Sequence, residues 1–369
     1  MSNINDFKIE NGVLVKYLGA DGKVVIPDGI TSIGSSAFEY CRSLTNVKIP
    51  NGVTSIGGHA FRDCPKLTTV KLPDRVKEIG PGAFESCKSL TSIKLPHSVV
   101  SICGGAFDFC SNLTSIEIPN SVISIRDNVF IGCSNLTNIT VDNNPVYHSE
   151  GNCLIETATK TLIAGCNHSI IPADGSVTSI DSSAFQYCEK LTRIEIPSSV
   201  KKIGVYTFAK CENLVSIEVD ENNKFYKSIY GNLYSKNGKT LIKYALGKTD
   251  MNFDIPEGVI EIKDNAFSEC DLISVVLPKS VTKIGYQAFK GCKRLTSVII
   301  PEGETSIGIG GWAFSGCESL RNVEMSSNVK KIGEYAFHWC RDRKLVITAP
   351  AGSYAAKYAK KNGISLKLI

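Results

Sequence analysis

No apolar run in these 369 residues approaches the roughly 18 that a helix needs to cross a bilayer, so no membrane-spanning helix is expected. The opening Met1-Ser2-Asn3-Ile4-Asn5-Asp6 has no charged n-region and no apolar h-region, so it reads as carrying no secretory signal. Histidine is sparse. His59, His97, His148, His168 and His338 never form His-x-x-x-His and read as exposed turn residues. Cysteine is plentiful at 14, but Cys-x-x-Cys is missing, so a zinc site lacks its usual ligand spacing. P-loops, Gly-x-Ser-x-Gly elbows and His-Glu-x-x-His motifs are missing too. Gly308-Ile309-Gly310-Gly311-Trp312-Ala313 fits a Gly-x-Gly-x-x-Ala fingerprint on paper, yet it lacks the strand–turn–helix context of a dinucleotide site. With 41 basic and 36 acidic side chains the net charge is only +5, a mild excess that does not by itself imply a nucleic-acid partner. These absences leave no convergent polar constellation, so no catalytic residue, metal or cofactor is expected.

What the sequence does have is repetition. Aligned on its Ala-Phe pairs, the chain falls into units of 23 residues that start at Ile26, Ile49, Leu72, Leu95 and Ile118, then at Ile171, Ile196, Ile255, Leu277, Ile300 and Met325. A fixed period of this size marks a solenoid of stacked coils. Within a unit, Leu44, Val47 and Ile49 show the period of a strand, and Pro50 ends it because proline cannot donate to a ladder. Val53 and Ile56 form a short extended segment, and Ala60-Phe61 through Cys64 read as a helical or 3-10 turn. Stacking at about 4.8 Å per coil places like residues on like. It predicts one spine of Phe38, Phe61, Phe84, Phe107, Phe130, Phe185, Phe208, Phe267, Phe289, Phe314 and Phe337. A parallel ladder holds Ile33, Ile56, Ile79, Ile102, Ile125, Ile180, Ile203, Ile262, Ile284, Ile307 and Ile332.

The pattern Leu-x-x-Val-x-Ile-Pro-x-x-Val-x-x-Ile-Gly-x-x-Ala-Phe-x-x-Cys resembles the BspA-like leucine-rich repeats, the Treponema pallidum class, from Ile26 to about Ile347. The resemblance implies a leucine-rich-repeat solenoid: a right-handed superhelix, β-rich with short helical or 3-10 turns, its parallel sheet on the concave face, built of about eleven repeats. Many members of that family are bacterial surface proteins, and some bind host or extracellular-matrix proteins. A cell-surface or secreted location is therefore implied, while the sequence itself leaves a cytoplasmic one open.

The segments outside the register complete the organisation. Residues 1–25 read as an N-terminal β cap with a hairpin at Asn11-Gly12. Repeats 1–5 fill 26–140, repeats 6–7 fill 171–218, and repeats 8–11 fill 255–348. The interruptions at 141–170 and 219–254 resemble each other: Tyr147 matches Tyr226, Gly151-Asn152 matches Gly231-Asn232, and Lys160-Thr161-Leu162-Ile163 matches Lys239-Thr240-Leu241-Ile242. Each reads as a variant coil with a β-hairpin, with Lys236-Asn237-Gly238-Lys239 as the clearest turn. Residues 349–369 read as a helical cap that opens at Ser353 and stops at Asn362-Gly363.

Eleven cysteines share one repeat position and read as reduced core thiols, since a free cysteine packs like a small hydrophobe. Cys103, Cys153 and Cys166 fall outside that column, and a local Cys153–Cys166 bridge is an open alternative.

The outward strand position is the candidate partner-binding face. Its column reads Lys48, Lys71, Lys94, Glu117, Thr140, then Glu195, Glu218, then Val276, Ile299 and Glu324: basic, then acidic, then apolar. Lysines at neighbouring rungs repel one another and serve no folding purpose, and adjacent exposed Val276 and Ile299 suggest a contact patch. The plain alternative is that a solvated strand face tolerates any polar residue. The expected function is a non-enzymatic scaffold that binds a protein, by resemblance a host or matrix protein. The alternative is a glycan-binding module, for which Tyr147, Tyr226, Tyr230 and Tyr234 are the candidate stacking rings. The oligomeric state is left open.

Overall fold

The computed structural model describes residues 3–126, 128–340 and 345–369. The chain divides into two compact units, Met1–Glu212 and Asn213–Ile369. Each is a β-solenoid with its own hydrophobic core. About 15 turns are wound in all, mostly of parallel strands, with 3% helix.

Each regular coil carries two strands. The longer one alternates in and out: Asn46–Lys48 pairs in parallel with Thr69–Lys71, with Val47 and Val70 buried and their neighbours outward. The proline that follows ends it, and its carbonyl accepts from the residue three further on, as Val53 N–H does to Pro50 O at 3.2 Å. The shorter strand has two residues. Ser32–Ile33, Ser55–Ile56, Glu78–Ile79, Ser101–Ile102 and Ser124–Ile125 form a second parallel ladder in the first unit. In the second unit the corresponding ladder joins Ile262, Ile284, Ile309 and Ile332. Ile309 rather than Ile307 therefore continues the isoleucine column. That repeat is two residues longer, and the fixed spacing of five to the spine phenylalanine decides which isoleucine lies in register.

The Ala-Phe arc closes the coil by dividing its N–H groups. Ala60, Arg62 and Leu67 donate within the coil to Gly57, His59 and Cys64 carbonyls at 3.1–3.2 Å, the expected 3-10 bond pattern. Between them, His59, Phe61 and Asp63 donate to Pro81, Ala83 and Glu85 of the next coil at 2.8, 2.7 and 2.9 Å. Because alternate N–H groups leave the coil, the arc does not run on as a continuous 3-10 helix, and its donors are shared between the coil and its neighbour. The alternation needs left-handed backbone two residues before and two after the phenylalanine, as at His59 (φ 54°) and Asp63 (φ 54°). The same two positions are left-handed in all eleven arcs.

The phenylalanine rings stack as columns. In the first unit, Phe38, Phe61, Phe84, Phe107 and Phe130 lie 5.0, 5.3, 5.6 and 5.9 Å apart, within 12° of parallel. In the second, Phe267, Phe289, Phe314 and Phe337 follow at 4.7, 5.1 and 5.3 Å. The columns extend beyond the regular repeats. Tyr17 donates its N–H to Ala37 O (2.8 Å) and stacks on Phe38; Tyr244 donates to Ala266 O (2.9 Å) and stacks on Phe267. Gly165 makes the same bond, to Ala184 O (2.8 Å), and a Cβ there would meet the Phe185 ring at 2.0 Å. In that variant coil the ring of the following coil fills the space that a spine side chain would take.

Turns beyond the eleven repeats come from the ends and the interruptions. Phe7–Glu10 and Val13–Tyr17 form the N-terminal hairpin, whose second strand enters the parallel ladder with Leu14 opposite Ile33. Tyr147–Glu150, Cys153–Glu156 and Thr161–Ala164 form an antiparallel meander whose last strand joins the same kind of ladder, Leu162 opposite Ile180. Tyr226–Ile229, Asn232–Ser235 and Thr240–Lys243 repeat this in the second unit, Leu241 opposite Ile262, with Gly238 in the turn between the last two strands. The turn glycines are not equivalent: Gly151 is the first residue of its two-residue turn and Gly231 the second. The helix Tyr354–Lys361, capped by the Ser353 side chain on Ala356 N–H, buries Ala355, Ala356 and Ala359.

The cysteine column has a bonding role as well as a packing one. Cys64, Cys87 and Cys110 each donate their thiol to the spine carbonyl of the preceding coil, Phe38, Phe61 and Phe84, at 3.1 Å. Alanine could fill the space but could not make the bond. Cys153 and Cys166 are free thiols that donate to backbone carbonyls. Burial pushes the Cys87 thiol up to about 12, which keeps it protonated and unreactive.

Two outcomes follow. Phe84→Ala removes a ring stacked on both faces and should cost about 3–5 kcal/mol in urea unfolding; a loss below about 1 kcal/mol would be incompatible with a load-carrying spine. In a thiol titration of the folded chain, half-buried Cys41, whose thiolate a hydrogen bond from Cys64 favours, should react first, and the thiols that burial pushes up, such as Cys87 and Cys340, only after denaturant is added.

Candidate functional site

The longer strands present one side chain of every pair to solvent, and the register decides which ones meet. In the first unit Lys48 is paired with Lys71, and Lys71 bridges to Lys94. All three are exposed, and among the described residues no carboxylate lies within ion-pair distance of them. The neighbouring column is small and polar, with Asn46 donating to Thr69 Oγ1 at 3.2 Å. The ladder then breaks. Glu117 pairs with Thr140 in a separate two-stranded sheet. Between Lys94 and Glu117 lies a depression of about 340 Å³, lined also by Ser92, His97, Ser115 and Pro119. It places an ammonium on one wall and a carboxylate on the other. Glu195 is exposed on Arg193–Ile196 of the same unit.

In the second unit Glu218 is half-buried and its carboxylate accepts from the Ser216 hydroxyl. Further along, Val276 is paired with Ile299, at 50% and 49% exposure. Asp254 precedes them and Glu324 follows in the same register. The structure thus joins the three lysines to one another and the two aliphatics to one another. Glu117, Glu195 and Glu218 sit on other strands than these, Glu117 opposite Thr140.

The chain matches the profile described as the BspA type leucine rich repeat region, six copies over residues 22–137, 105–237 and 239–359. The chain belongs to the BspA-type leucine-rich repeat family. Among solved structures, a leucine rich cell surface protein from Faecalibacterium prausnitzii is 30% identical, with 99% of this chain and 95% of that one covered at a TM-score of 0.57. A leucine-rich repeat protein from Bacteroides ovatus is 26% identical over 98% and 97% of the two chains, with a TM-score of 0.41. The Treponema pallidum leucine rich repeat protein is 26% identical over 58% and 90%, with a TM-score of 0.40. No curated protein sequence matches the chain.

Two of the four tyrosines considered for sugar stacking in this BspA-type chain are ruled out by burial. Tyr147 is buried, and its hydroxyl accepts the N–H of Ile125 at 2.9 Å, closing the edge where the short-strand ladder ends. Tyr234 is fully buried. Tyr226 is half-buried, and only Tyr230 is exposed. Exposed aromatic side chains on the arcs of the second unit are Tyr286, Tyr335 and Trp339, while on the first unit's arcs exposed Phe109 meets Tyr187 at 5.4 Å. The signal was available: both tryptophans fall in the last two repeats, at arc positions that vary elsewhere from glycine to tyrosine. Among the described residues no three His, Cys, Asp or Glu side chains converge as metal ligands. No helix among them is long and apolar enough to cross a membrane.

One titratable group on the first unit's arcs departs far from its ordinary range. The residues following the spine phenylalanines form a charged column, in which Arg62 lies 3.8 Å from Glu39 and 3.3 Å from Glu85, with His59 3.5 Å from Glu85. Asp108 comes next. It accepts the Ile131 N–H at 3.0 Å, but burial, with Glu85 nearby, pushes its carboxyl up to about 7. Since the folded value is raised, the neutral form is the one the fold favours. Its stabilisation is complete below about pH 4 and is lost as the pH rises through 7. Asp108→Asn keeps the acceptor oxygen without the charge. In denaturant unfolding the variant should exceed the parent at pH 8 by up to about 4 kcal/mol, with the gap closing towards pH 4. A constant gap across that range would contradict a half-buried Asp108 whose neutral form the fold favours.

Proposed function

We propose that the chain is a non-enzymatic scaffold that holds a protein partner against its outward strand face. The observation that supports this most directly is the lysine ladder. Lys48, Lys71 and Lys94 stand on consecutive rungs with no carboxylate among the described residues in ion-pair range, an arrangement that destabilises a sheet in isolation and becomes favourable when an acidic surface covers it. The notch between Lys94 and Glu117 gives such a partner a place to seat a side chain. In the second unit, paired Val276 and Ile299 offer an apolar contact ringed by Asp254 and Glu324, the arrangement of an interface core and rim. The 30%-identical relative is described as a cell surface protein. A surface location, with a host or matrix protein as partner, is the reading we adopt for this chain too.

Retention of the purified chain on immobilised extracellular-matrix proteins tests the proposal. The expected result is retention that weakens as salt rises from low to physiological strength, because exposed charges are screened within about 8 Å at 0.15 M. The Lys48→Glu, Lys71→Glu, Lys94→Glu triple variant should bind at least about tenfold more weakly, the equivalent of about 1.4 kcal/mol. Equal retention of triple variant and parent would remove the basic ladder from the interface. Loss with Val276→Ser and Ile299→Ser alone would move the contact to the second unit.

A further inference from the structure

Both tryptophans of the chain lie on neighbouring arcs of the second unit, and they touch. Trp312 packs against Tyr335 at 4.8 Å between ring centroids, against His338 at 5.4 Å and against Trp339 at 6.1 Å. His338 in turn meets Trp339 at 4.6 Å and Tyr335 at 5.4 Å. One coil earlier, Tyr286 lies beside Gly311, which lacks the Cβ that would stand 3.6 Å from its ring. Trp339, Tyr335 and Tyr286 are 67%, 54% and 44% exposed.

Two costs attach to this cluster. The first is backbone strain. Trp312 (φ 57°), Tyr335 (φ 56°) and Trp339 (φ 57°) occupy the two left-handed positions of the arc, where bulky side chains are outliers. Elsewhere the same positions hold glycine, at Gly82, Gly105, Gly132, Gly291 and Gly316, or single aromatics, at Tyr40, Phe109, Tyr187 and Tyr206, of which Phe109 and Tyr187 touch. The second is apolar surface left in water. Beneath the cluster, buried Ala336 and Phe337 make the core contacts of the coil regardless of what stands outside. The left-handed backbone is common to all eleven arcs, so what sets this site apart is the gathered, exposed rings, apolar surface kept where packing does not require it.

The geometry narrows the ligand. The rings touch one another, so they enclose no space for a cationic head group of the kind an aromatic cage surrounds. They form a surface instead, flat π faces with polar edges: two indole N–H groups, the phenol hydroxyls of Tyr286 and Tyr335, and an imidazole. Every exposed large hydrophobic among the described residues of these arcs is aromatic, so no aliphatic ridge offers a peptide side chain a mate. A neutral sugar ring is the complementary shape. One of its faces is a patch of C–H bonds, each with a small positive charge that suits the negative face of an indole or phenol. Its rim is a ring of hydroxyls that can reach the polar edges. We propose that Trp312, Tyr335, His338 and Trp339, with Tyr286 beside them, form a stacking platform for a neutral glycan chain. This surface is separate from the strand face proposed above and stands without it.

The two tryptophans make the test direct, because intrinsic tryptophan emission of the chain reports on this platform and nothing else. The full chain is titrated with the hexasaccharides of β-1,4-glucose, β-1,4-N-acetylglucosamine, β-1,4-mannose and β-1,3-glucose, with calorimetry in parallel. We expect a saturable change in emission with at least one of them. Trp339→Ala and Tyr335→Gly should each weaken that affinity at least about tenfold, while thermal unfolding of Tyr335→Gly is no earlier than the parent's, since glycine relieves the left-handed strain. The Lys48→Glu, Lys71→Glu, Lys94→Glu variant should bind the same sugar as the parent does, which separates this site from the strand face. Absence of saturable binding to all four sugars by both methods overturns the proposal, as does unchanged affinity in both platform variants. So does a protein ligand whose capture needs Trp339 and is not competed by the oligosaccharides, since the platform would then be a protein-docking patch.

Discussion

A regular coil followed by another hands alternate arc N–H groups to the carbonyls of that next coil, and this exchange sets the rest of the structure. Phe61 reaches Ala83 and Phe84 reaches Ala106 through the same bond at the same place. The ring on each residue is therefore held about one coil spacing from the next, and parallel stacking follows from the backbone rather than from any preference of the rings. The left-handed residues on either side of each phenylalanine are the cost of aiming those donors out of the coil. The thiol column completes the arrangement, because a spine carbonyl faces the next coil and a cysteine is small enough to reach it while still donating.

A core built this way leaves the outside almost unconstrained. Burying a spine phenylalanine or a ladder isoleucine contributes roughly 1.5–3 kcal/mol each, and those contributions depend only on inward positions. The outward position of the longer strand can be lysine, glutamate, threonine or valine with the same backbone under it, as Lys71, Glu117, Thr140 and Val276 show. Fold and recognition are therefore specified by different columns of one repeat. That is why membership of the BspA-type family fixes the solenoid for this chain and leaves its partner to be read from the surface.

The same separation explains what was legible in the sequence. Period, strand register, the phenylalanine spine and the cysteine column all recur at fixed spacing, so simple alignment finds them. The spine residues that alignment missed, Tyr17, Gly165 and Tyr244, lie in coils where the residue in the short-strand ladder precedes the spine position by three residues (Leu14, Leu162, Leu241), against five in a regular coil such as Ile33 to Phe38. Spacing carries the signal, so a shortened arc hides it. The slip from Ile309 to Ile307 has the same origin in reverse, a repeat lengthened by two. For the face, the sequence named the outward column correctly at Lys48, Lys71, Lys94, Val276 and Ile299. It could not show that the ladder breaks beyond Lys94, because continuity of hydrogen bonds between rungs is not written in any one rung. Tyr147 was out of reach for a related cause: only its bond to the Ile125 N–H shows that the phenol closes a ladder edge and is not offered to a ligand.

In a molecule whose interior is periodic, functional positions show as departures from the period that folding does not ask for. Asp108 departs from it for a local reason, since its carboxylate oxygen takes the Ile131 N–H, whose counterparts in other arcs bond within the coil. The departure is accounted for without a ligand, and burial makes it a pH-sensitive stability element. The unpartnered lysines and the exposed Val276–Ile299 pair satisfy no donor and fill no gap, so folding leaves them unexplained. The two tryptophan-bearing arcs go further, because there several rings gather in mutual contact and leave apolar surface in water. Ranked by what each position costs the fold and what the fold gains in return, the aromatic arcs and the lysine ladder stand at the top, and Asp108, with a bonding partner of its own, stands below them.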